Sequence, residues 1–286
     1  MAETCETIRV PGVGLTMEAK RWGESSDRTP VICLPGLTRN AADFEDLAAI
    51  LSGAGREVIA FSLRGRAGSD YADDHRTYNA LVYRDDIIAG MDALGVPRAI
   101  FIGTSLGGIV TMLINEEAPD RVAAAVINDI GPDLGPEGIA RIVGYVSARK
   151  PGASVATLED AAAQIKEINE QAFPGRDDAF WRLFATRTFR EEETGWVLDY
   201  DPRIAQAFAD GPPAPELWPA FEKLRDTPTL VVRGALSDLL TPPILETMRG
   251  VNPTYEFIEV ANVGHAPTLT EPEALEKIQA LVSAAP

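Results

Sequence analysis

The chain has 286 residues, 45% of them hydrophobic, and a formal net charge of −17. A chain of that size and apolar content buries a sizeable core, as one large α/β domain or a core with an inserted subdomain, and is not disordered. The negative charge repels nucleic acid and anionic membranes, so neither is an expected partner and a small-molecule substrate is.

No apolar run is long enough to span a bilayer. The opening Met1-Ala2-Glu3-Thr4-Cys5-Glu6 is acidic and lacks the apolar segment of a secretory signal, so a cytoplasmic protein is expected. Two cysteines, Cys5 and Cys33, are too few for a disulfide framework. Oligomeric state is left open, because no interface can be read from one sequence.

In chain order, Ile8 to Trp22 reads as a β-hairpin with Pro11-Gly12 and Gly14 at its turn. Val31-Ile32-Cys33-Leu34 is a buried strand running into Pro35-Gly36-Leu37-Thr38-Arg39-Asn40. A helix follows on Phe44, Leu47, Ala48 and Leu51, capped by Asn40 and stopped by Gly53 and Gly55. Val58-Ile59-Ala60-Phe61 is the next strand. Arg64-Gly65-Arg66-Ala67-Gly68-Ser69 is a glycine-rich turn, and without a following G-K-[ST] it is not a phosphate cradle. A helix spans about Tyr78 to Leu94.

Ala99-Ile100-Phe101-Ile102 is a strand that ends in Gly103-Thr104-Ser105-Leu106-Gly107, and Leu106, Ile109, Val110 and Leu113 then recur at helical spacing up to Pro119. Val122 to Ile127 is another strand. This alternation predicts a mostly parallel, doubly wound sheet, whose ligands bind at the carboxyl ends of the strands. From 131 to 225 the alternation stops. The segment holds three of the four tryptophans and proline breaks such as Gly211-Pro212-Pro213-Ala214-Pro215, which predicts a helical cap inserted between core segments 1–130 and 226–286. Most of its aromatics are expected to form the cap's own core. Alternation resumes with strand Thr229–Gly234, a helix from Thr241-Pro242, strand Tyr255–Val260, and a closing helix from about Thr270 with Glu273 completing a capping box.

The chemistry centres on Ser105. A serine on a sharp strand-to-helix turn stands above the sheet edge, with small neighbours at Gly103 and Gly107 and a helix N-terminus aimed at any oxyanion formed there. A serine hydroxyl needs a base within hydrogen-bond reach. Of the two histidines, His75 sits in the polar run Asp73-Asp74-His75-Arg76, whereas His265 follows the last strand at the same sheet edge as Ser105. His265 is therefore the expected base, and its protonation is expected to lower activity on acidification. A carboxylate must orient it. Asp238, after strand Thr229–Gly234, is the expected acid, and Asp129, after strand Val122–Ile127, is the rival, read as a cap or turn residue. The backbone N–H groups of Leu106 and Leu37 are the expected oxyanion donors. Arg39 is read as solvent-facing, with a substrate carboxylate as its alternative partner.

With Leu34-Pro35-Gly36-Leu37, Leu63-Arg64-Gly65-Arg66-Ala67-Gly68-Ser69-Asp70, Gly103-Thr104-Ser105-Leu106-Gly107-Gly108, Gly234 through Asp238, and Gly264-His265 in view, the sequence resembles the α/β-hydrolase superfamily, nearest its capped, serine-dependent branch. The resemblance runs from about Val31 to the C-terminus, outside much of the cap. It implies an eight-stranded sheet with the second strand antiparallel, chemistry without metal or cofactor, and a triad in the order Ser105, Asp238, His265. The usual His-Gly ahead of the oxyanion residue is Pro35-Gly36 here. Relatives with an aspartate nucleophile, such as epoxide hydrolases and haloalkane dehalogenases, are excluded by the serine.

The expected activity is hydrolysis of a carboxylic ester or lactone of a small, largely apolar acyl compound. Two rivals share the scaffold. One is cleavage of a carbon–carbon bond next to a ketone by the same triad, as in hydrolases of ring-fission products. The other is binding of a small ligand without catalysis.

Overall fold

The computed structural model describes residues 5–148 and 153–286, and the acidic opening Met1–Thr4 lies outside the described residues. Strands β1 (Glu6–Pro11) and β2 (Thr16–Trp22) pair antiparallel around a turn in which Gly14 takes a positive φ. The chain then alternates through β3 (Val31–Leu34), α1 (Glu45–Gly53), β4 (Val58–Ser62), α2 (Ala80–Ala93), β5 (Ala99–Thr104), α3 (Leu106–Glu117) and β6 (Val122–Asn128). Asn40 does act as a cap, accepting the Ala42 N–H, but at a short 3-10 turn (Ala41–Phe44) ahead of α1.

Beyond β6 the chain leaves the sheet for α4 (Pro136–Ala148), α5 (Leu158–Asn169), α6 (Asp178–Thr186), β7 (Phe189–Glu192), β8 (Gly195–Leu198), α7 (Ile204–Asp210) and α8 (Trp218–Lys223). It returns through β9 (Thr229–Gly234), α9 (Pro242–Val251), β10 (Glu256–Val260) and α10 (Pro272–Ala284).

The main sheet has eight strands in the order β1-β2-β4-β3-β5-β6-β9-β10. Strand β2 is antiparallel to both neighbours, and from β4 to β10 every pair is parallel. Central strands of such a sheet are covered on both faces and so read as continuous apolar runs. Val31–Leu34 and Val122–Asn128 are buried along their whole length. Alternate side chains divide between two cores. Ile32, Leu34, Phe101, Ile127 and Val231 meet Ile87 and Met91 of α2, Val110 and Leu113 of α3, and Phe221 of α8. Val31, Cys33, Ile100, Ile102, Val126 and Val232 meet Leu47 and Leu51 of α1 and Ile278 and Val282 of α10.

Three features differ from expectation. The excursion after β6 contains an antiparallel hairpin, β7–β8, registered from Phe189↔Leu198 to Glu192↔Gly195, where helix alone was expected. Its turn is carried by Gly195 at φ +115°, and its strands are four residues each, too short to show a period in sequence. The return to the core also comes earlier than 226, because α8 buries Ala220 and Phe221 in the same core as α3. Finally, α10 begins at Pro272 with no side-chain cap on its N-terminus. Glu271 instead accepts the N–H and the hydroxyl of Thr268, so the box between Thr270 and Glu273 does not form.

Phe173, Phe180, Trp181 and Phe184 stack in one cluster with ring centroids 5.0–6.3 Å apart. This is the expected aromatic core of the inserted segment, and Phe173, Phe180 and Phe184 also face the cavity described below. Among the described residues no helix is long and apolar enough to cross a membrane.

Candidate active site

Ser105 sits between the last residue of β5 and the first of α3, at φ +53° and ψ −115°. A non-glycine residue held there is strained, and the surroundings must enforce it. They do so by close packing. A Cβ on Gly103 would lie 2.3 Å from the Gly107 carbonyl oxygen, and one on Gly107 would lie 2.0 Å from that of Leu34. The two glycines thus let β5, α3 and β3 approach closely enough to form the turn. The Ser105 N–H is donated to the Asn128 carbonyl (2.9 Å), which continues the β5–β6 ladder into the turn.

His265 follows β10 and is brought over Ser105. Its Nε2 lies 2.9 Å from Ser105 Oγ, and its Nδ1 lies 2.8 Å from Asp129 Oδ2. Asp129 is fully buried at the end of β6, also with a positive φ (+55°). Its Oδ1 accepts the Gly234 N–H (2.8 Å) and its Oδ2 accepts the Ser237 hydroxyl (2.7 Å). With both oxygens acting as acceptors, the proton shared with His265 lies on Nδ1, and Nε2 is free to accept from Ser105. Asn128 braces the same arrangement by donating to Thr104 Oγ1 and to the carbonyl of Pro267, two residues beyond His265.

Asp238, the acid expected from the sequence, is not against His265. Its neighbour Ser237 turns inward to Asp129, and Asp238 turns outward to Arg141 of α4, which donates Nε–H to Oδ2 (2.7 Å) and Nη2–H to Oδ1 (2.8 Å). The loop after β9 therefore gives hydrogen bonds to the acid instead of supplying it. The signal for Asp129 was its place directly after the strand beside that of Ser105. The signal against Asp238 was a cation on the inserted helix, which no local pattern reveals.

The Arg141 pair holds the Asp238 carboxyl below the usual carboxylate range, against a partial burial that acts the other way. Because the folded-state value is depressed, the stability this gives is complete above the unfolded value of about 3.9 and is lost as pH falls through the folded value. An Asp238→Asn variant is expected to melt lower than the native chain at pH 7, by about 1 kcal/mol or less for a half-buried pair. The difference should shrink below pH 4, which paired thermal melts across pH 3–7 would show.

Leu37 and Thr38 lie in a turn closed by the Arg39 N–H to the Gly36 carbonyl (3.2 Å), and Leu106 opens α3. Among the described residues, the N–H groups of Leu37, Thr38 and Leu106 have no hydrogen-bond acceptor, and all three residues line the cavity over Ser105. That is the arrangement an oxyanion requires.

The cavity has a volume of about 990 Å³ and is walled mainly by apolar and aromatic side chains, including Ile142, Phe173, Phe184, Phe189, Trp196 and Leu239. Its guanidinium groups are already partnered. Arg39 meets Asp43 through Nε and Nη2 and Thr188 through Nη1, and it stacks 4.1 Å over the Phe184 ring, so its Nε/Nη2 edge is closed to a substrate carboxylate. Arg187 pairs with Asp46 at 2.9 Å. His75 lies elsewhere, 2.8 Å from Asp210. Among the described residues no group of three or more His, Cys, Asp or Glu side chains is arranged to hold a metal ion.

Comparison with known proteins agrees with this architecture. A family model described as the alpha/beta hydrolase family matches residues 31–278. A 3-hydroxybutyrate-oligomer hydrolase from Cupriavidus necator is 30% identical over 266 residues, covering 90% of this chain and 89% of that relative. A 2-(acetamidomethylene)succinate hydrolase from Mesorhizobium japonicum is 26% identical over 238 residues, covering 83% and 82%. The crystal structure of an alpha/beta hydrolase from Novosphingobium aromaticivorans superposes with a TM-score of 0.89 at 38% identity, over 99% of this chain and 98% of that one. With a serine elbow, a histidine after the last strand and a matched family model over most of its length, the chain belongs to the α/β-hydrolase family.

Proposed function

We propose that the chain is a serine hydrolase that cleaves a carboxylic ester through an acyl-enzyme on Ser105, with His265 as general base and Asp129 as its orienting acid. The observation that carries this reading is the continuous path Ser105 Oγ–His265 Nε2 (2.9 Å) and His265 Nδ1–Asp129 Oδ2 (2.8 Å). His265 takes the Ser105 proton as Oγ attacks the ester carbonyl. The oxygen of the tetrahedral adduct is held by the Leu37 and Leu106 amides, and His265 then gives the proton to the departing alkoxide. Water, deprotonated by His265, releases the acid and restores Ser105.

The cavity supports a larger apolar ester in place of the small one expected from sequence. Its volume of about 990 Å³ lies at the upper end of the ~300–1,000 Å³ usual for ligand pockets. The relative that acts on 3-hydroxybutyrate oligomers, whose units are joined by esters, supports the same bond type.

The test is intact-protein mass spectrometry after a fluorophosphonate, on the native chain and on Ser105→Ala, with a panel of p-nitrophenyl esters and linear hydroxybutyrate oligoesters. One adduct on the native chain alone, with turnover of oligoesters, is the expected result. Absence of both would remove the reading. Turnover of a vinylogous diketone with failure on every ester would replace it by carbon–carbon cleavage.

A further inference from the structure

Arg66 is a large charged side chain that the mechanism above does not use, and it is fully buried. Among the described residues it has no carboxylate within ion-pair distance. A buried charge without a counter-charge is costly unless its hydrogen bonds are complete, so its position needs a reason. Its donors show one. Nε–H and Nη2–H both go to the carbonyl oxygen of Leu37, at 2.9 and 2.7 Å, while Nη1 donates to the Arg64 carbonyl (2.6 Å) and the Tyr83 hydroxyl (2.8 Å). The guanidinium also lies 4.9 Å from the Tyr83 ring centroid.

A trans peptide is planar, with its N–H directed opposite to its C=O. Fixing the Leu37 oxygen toward Arg66 therefore turns the Thr38 N–H away from it, and Thr38 lines the cavity. The same plane is joined to the Leu37 N–H through the Leu37 torsions, so holding it restricts the turn that carries that N–H. Tyr145 of α4 lines the same cavity beside Thr38.

We propose that Arg66 is the positioning residue of the oxyanion hole. It clamps the Leu37–Thr38 peptide, which fixes the turn that carries the Leu37 N–H and directs the Thr38 N–H away from Arg66, and its charge polarises that peptide from beneath. This rests on the reading of Ser105 as nucleophile. It assigns a role to the second arginine of the turn Arg64–Ser69, whereas Arg64 is held by Asp86 in a buried ion pair.

The test compares the native chain with Arg66→Met, Arg66→Lys and Tyr83→Phe. The readouts are kcat, KM, the affinity of a trifluoromethyl ketone that adds Ser105 Oγ to its carbonyl and leaves the oxyanion on the amides, and the thermal midpoint. Arg66→Met is expected to lower kcat by about 30- to 100-fold, at or just below the ~10²–10³-fold cost of a lost oxyanion donor, as suits a group that acts through the peptide. Its KM should stay within threefold and its ketone affinity should fall in step with kcat. Arg66→Lys, which keeps a donor for the Leu37 oxygen, should recover at least tenfold of the loss.

Were Arg66→Met not to fold, Tyr83→Phe carries the same test more gently, with an expected three- to tenfold parallel loss in kcat and ketone affinity. A folded variant with unchanged ketone affinity, whatever its kcat, overturns the proposal. A native chain that binds neither the ketone nor a fluorophosphonate removes the nucleophile reading itself, and the proposal with it. A native chain that binds both, beside unchanged variants, removes the proposal alone.

Discussion

Replacing Ser105 by alanine is expected to lower ester turnover by about 10⁴- to 10⁶-fold, the range seen when the nucleophile of such a triad is removed. In the proposed mechanism the loss is large because the serine is the group bonded to substrate in both half-reactions, and among the described residues no other hydroxyl lies against His265 Nε2. Some rate above that in water should remain, since the amides of Leu37 and Leu106 and the cavity wall are untouched. Stability should change little. Alanine at φ +53° is strained much as serine is, the side chain is small, and its one side-chain partner among the described residues is His265. Initial rates on a p-nitrophenyl ester, paired with a thermal melt, check both statements. A variant retaining a tenth of native activity would disprove the role given to Ser105.

The second large effect is expected at Asp129. Asp129→Asn should lower kcat by about 10⁴-fold, as tautomer reversal does in serine proteases. The carboxamide oxygen can still accept one of the donors that converge on this side chain, Gly234 N–H and Ser237 O–H, but its NH₂ group then faces His265 Nδ1. That places the imidazole proton on Nε2, where it cannot take one from Ser105. Asp238→Asn, by contrast, should leave kcat within about threefold, the scale of a surface or half-buried ion pair. Steady-state kinetics on the two variants side by side decide the matter, and equal losses would return Asp238 to the triad.

Much of the fold was legible because parallel strands buried on both faces announce themselves as apolar runs. Val31–Leu34, Val58–Phe61, Ala99–Ile102, Val122–Ile127 and Thr229–Gly234 all lie in the main sheet as expected. Ser105 was legible through its glycines, whose missing Cβ atoms are required by contacts of 2.0–2.3 Å. His265 was legible because only two histidines compete and the other lies in a polar run.

The acid was not legible. Asp129 and Asp238 each follow a core strand, and the choice depends on which way a side chain turns at the loop after β9. Ser237 turns in and Asp238 turns out because Arg141, nearly a hundred residues away, draws Asp238 to α4. The same holds for Arg39, whose partner Asp43 lies four residues on and takes its Nε and Nη2 edge. The hairpin β7–β8 was missed because four-residue strands carry too few alternations to be told from loop.

The position of Asp129 also has a mechanical side. Only Ile130–Gly135 separate it from α4, so Asp129 and the inserted segment share one short length of backbone. A rigid displacement of α4 would pull on that length as on a tether. Two ties anchor the helix to the core before the load reaches Asp129: the Gly135 N–H to the Leu239 carbonyl (2.8 Å), and Arg141 to Asp238. Asp238, outside the Ser105–His265–Asp129 path, thus serves as a mooring, so that a pull on the inserted segment is taken up by these ties ahead of Asp129.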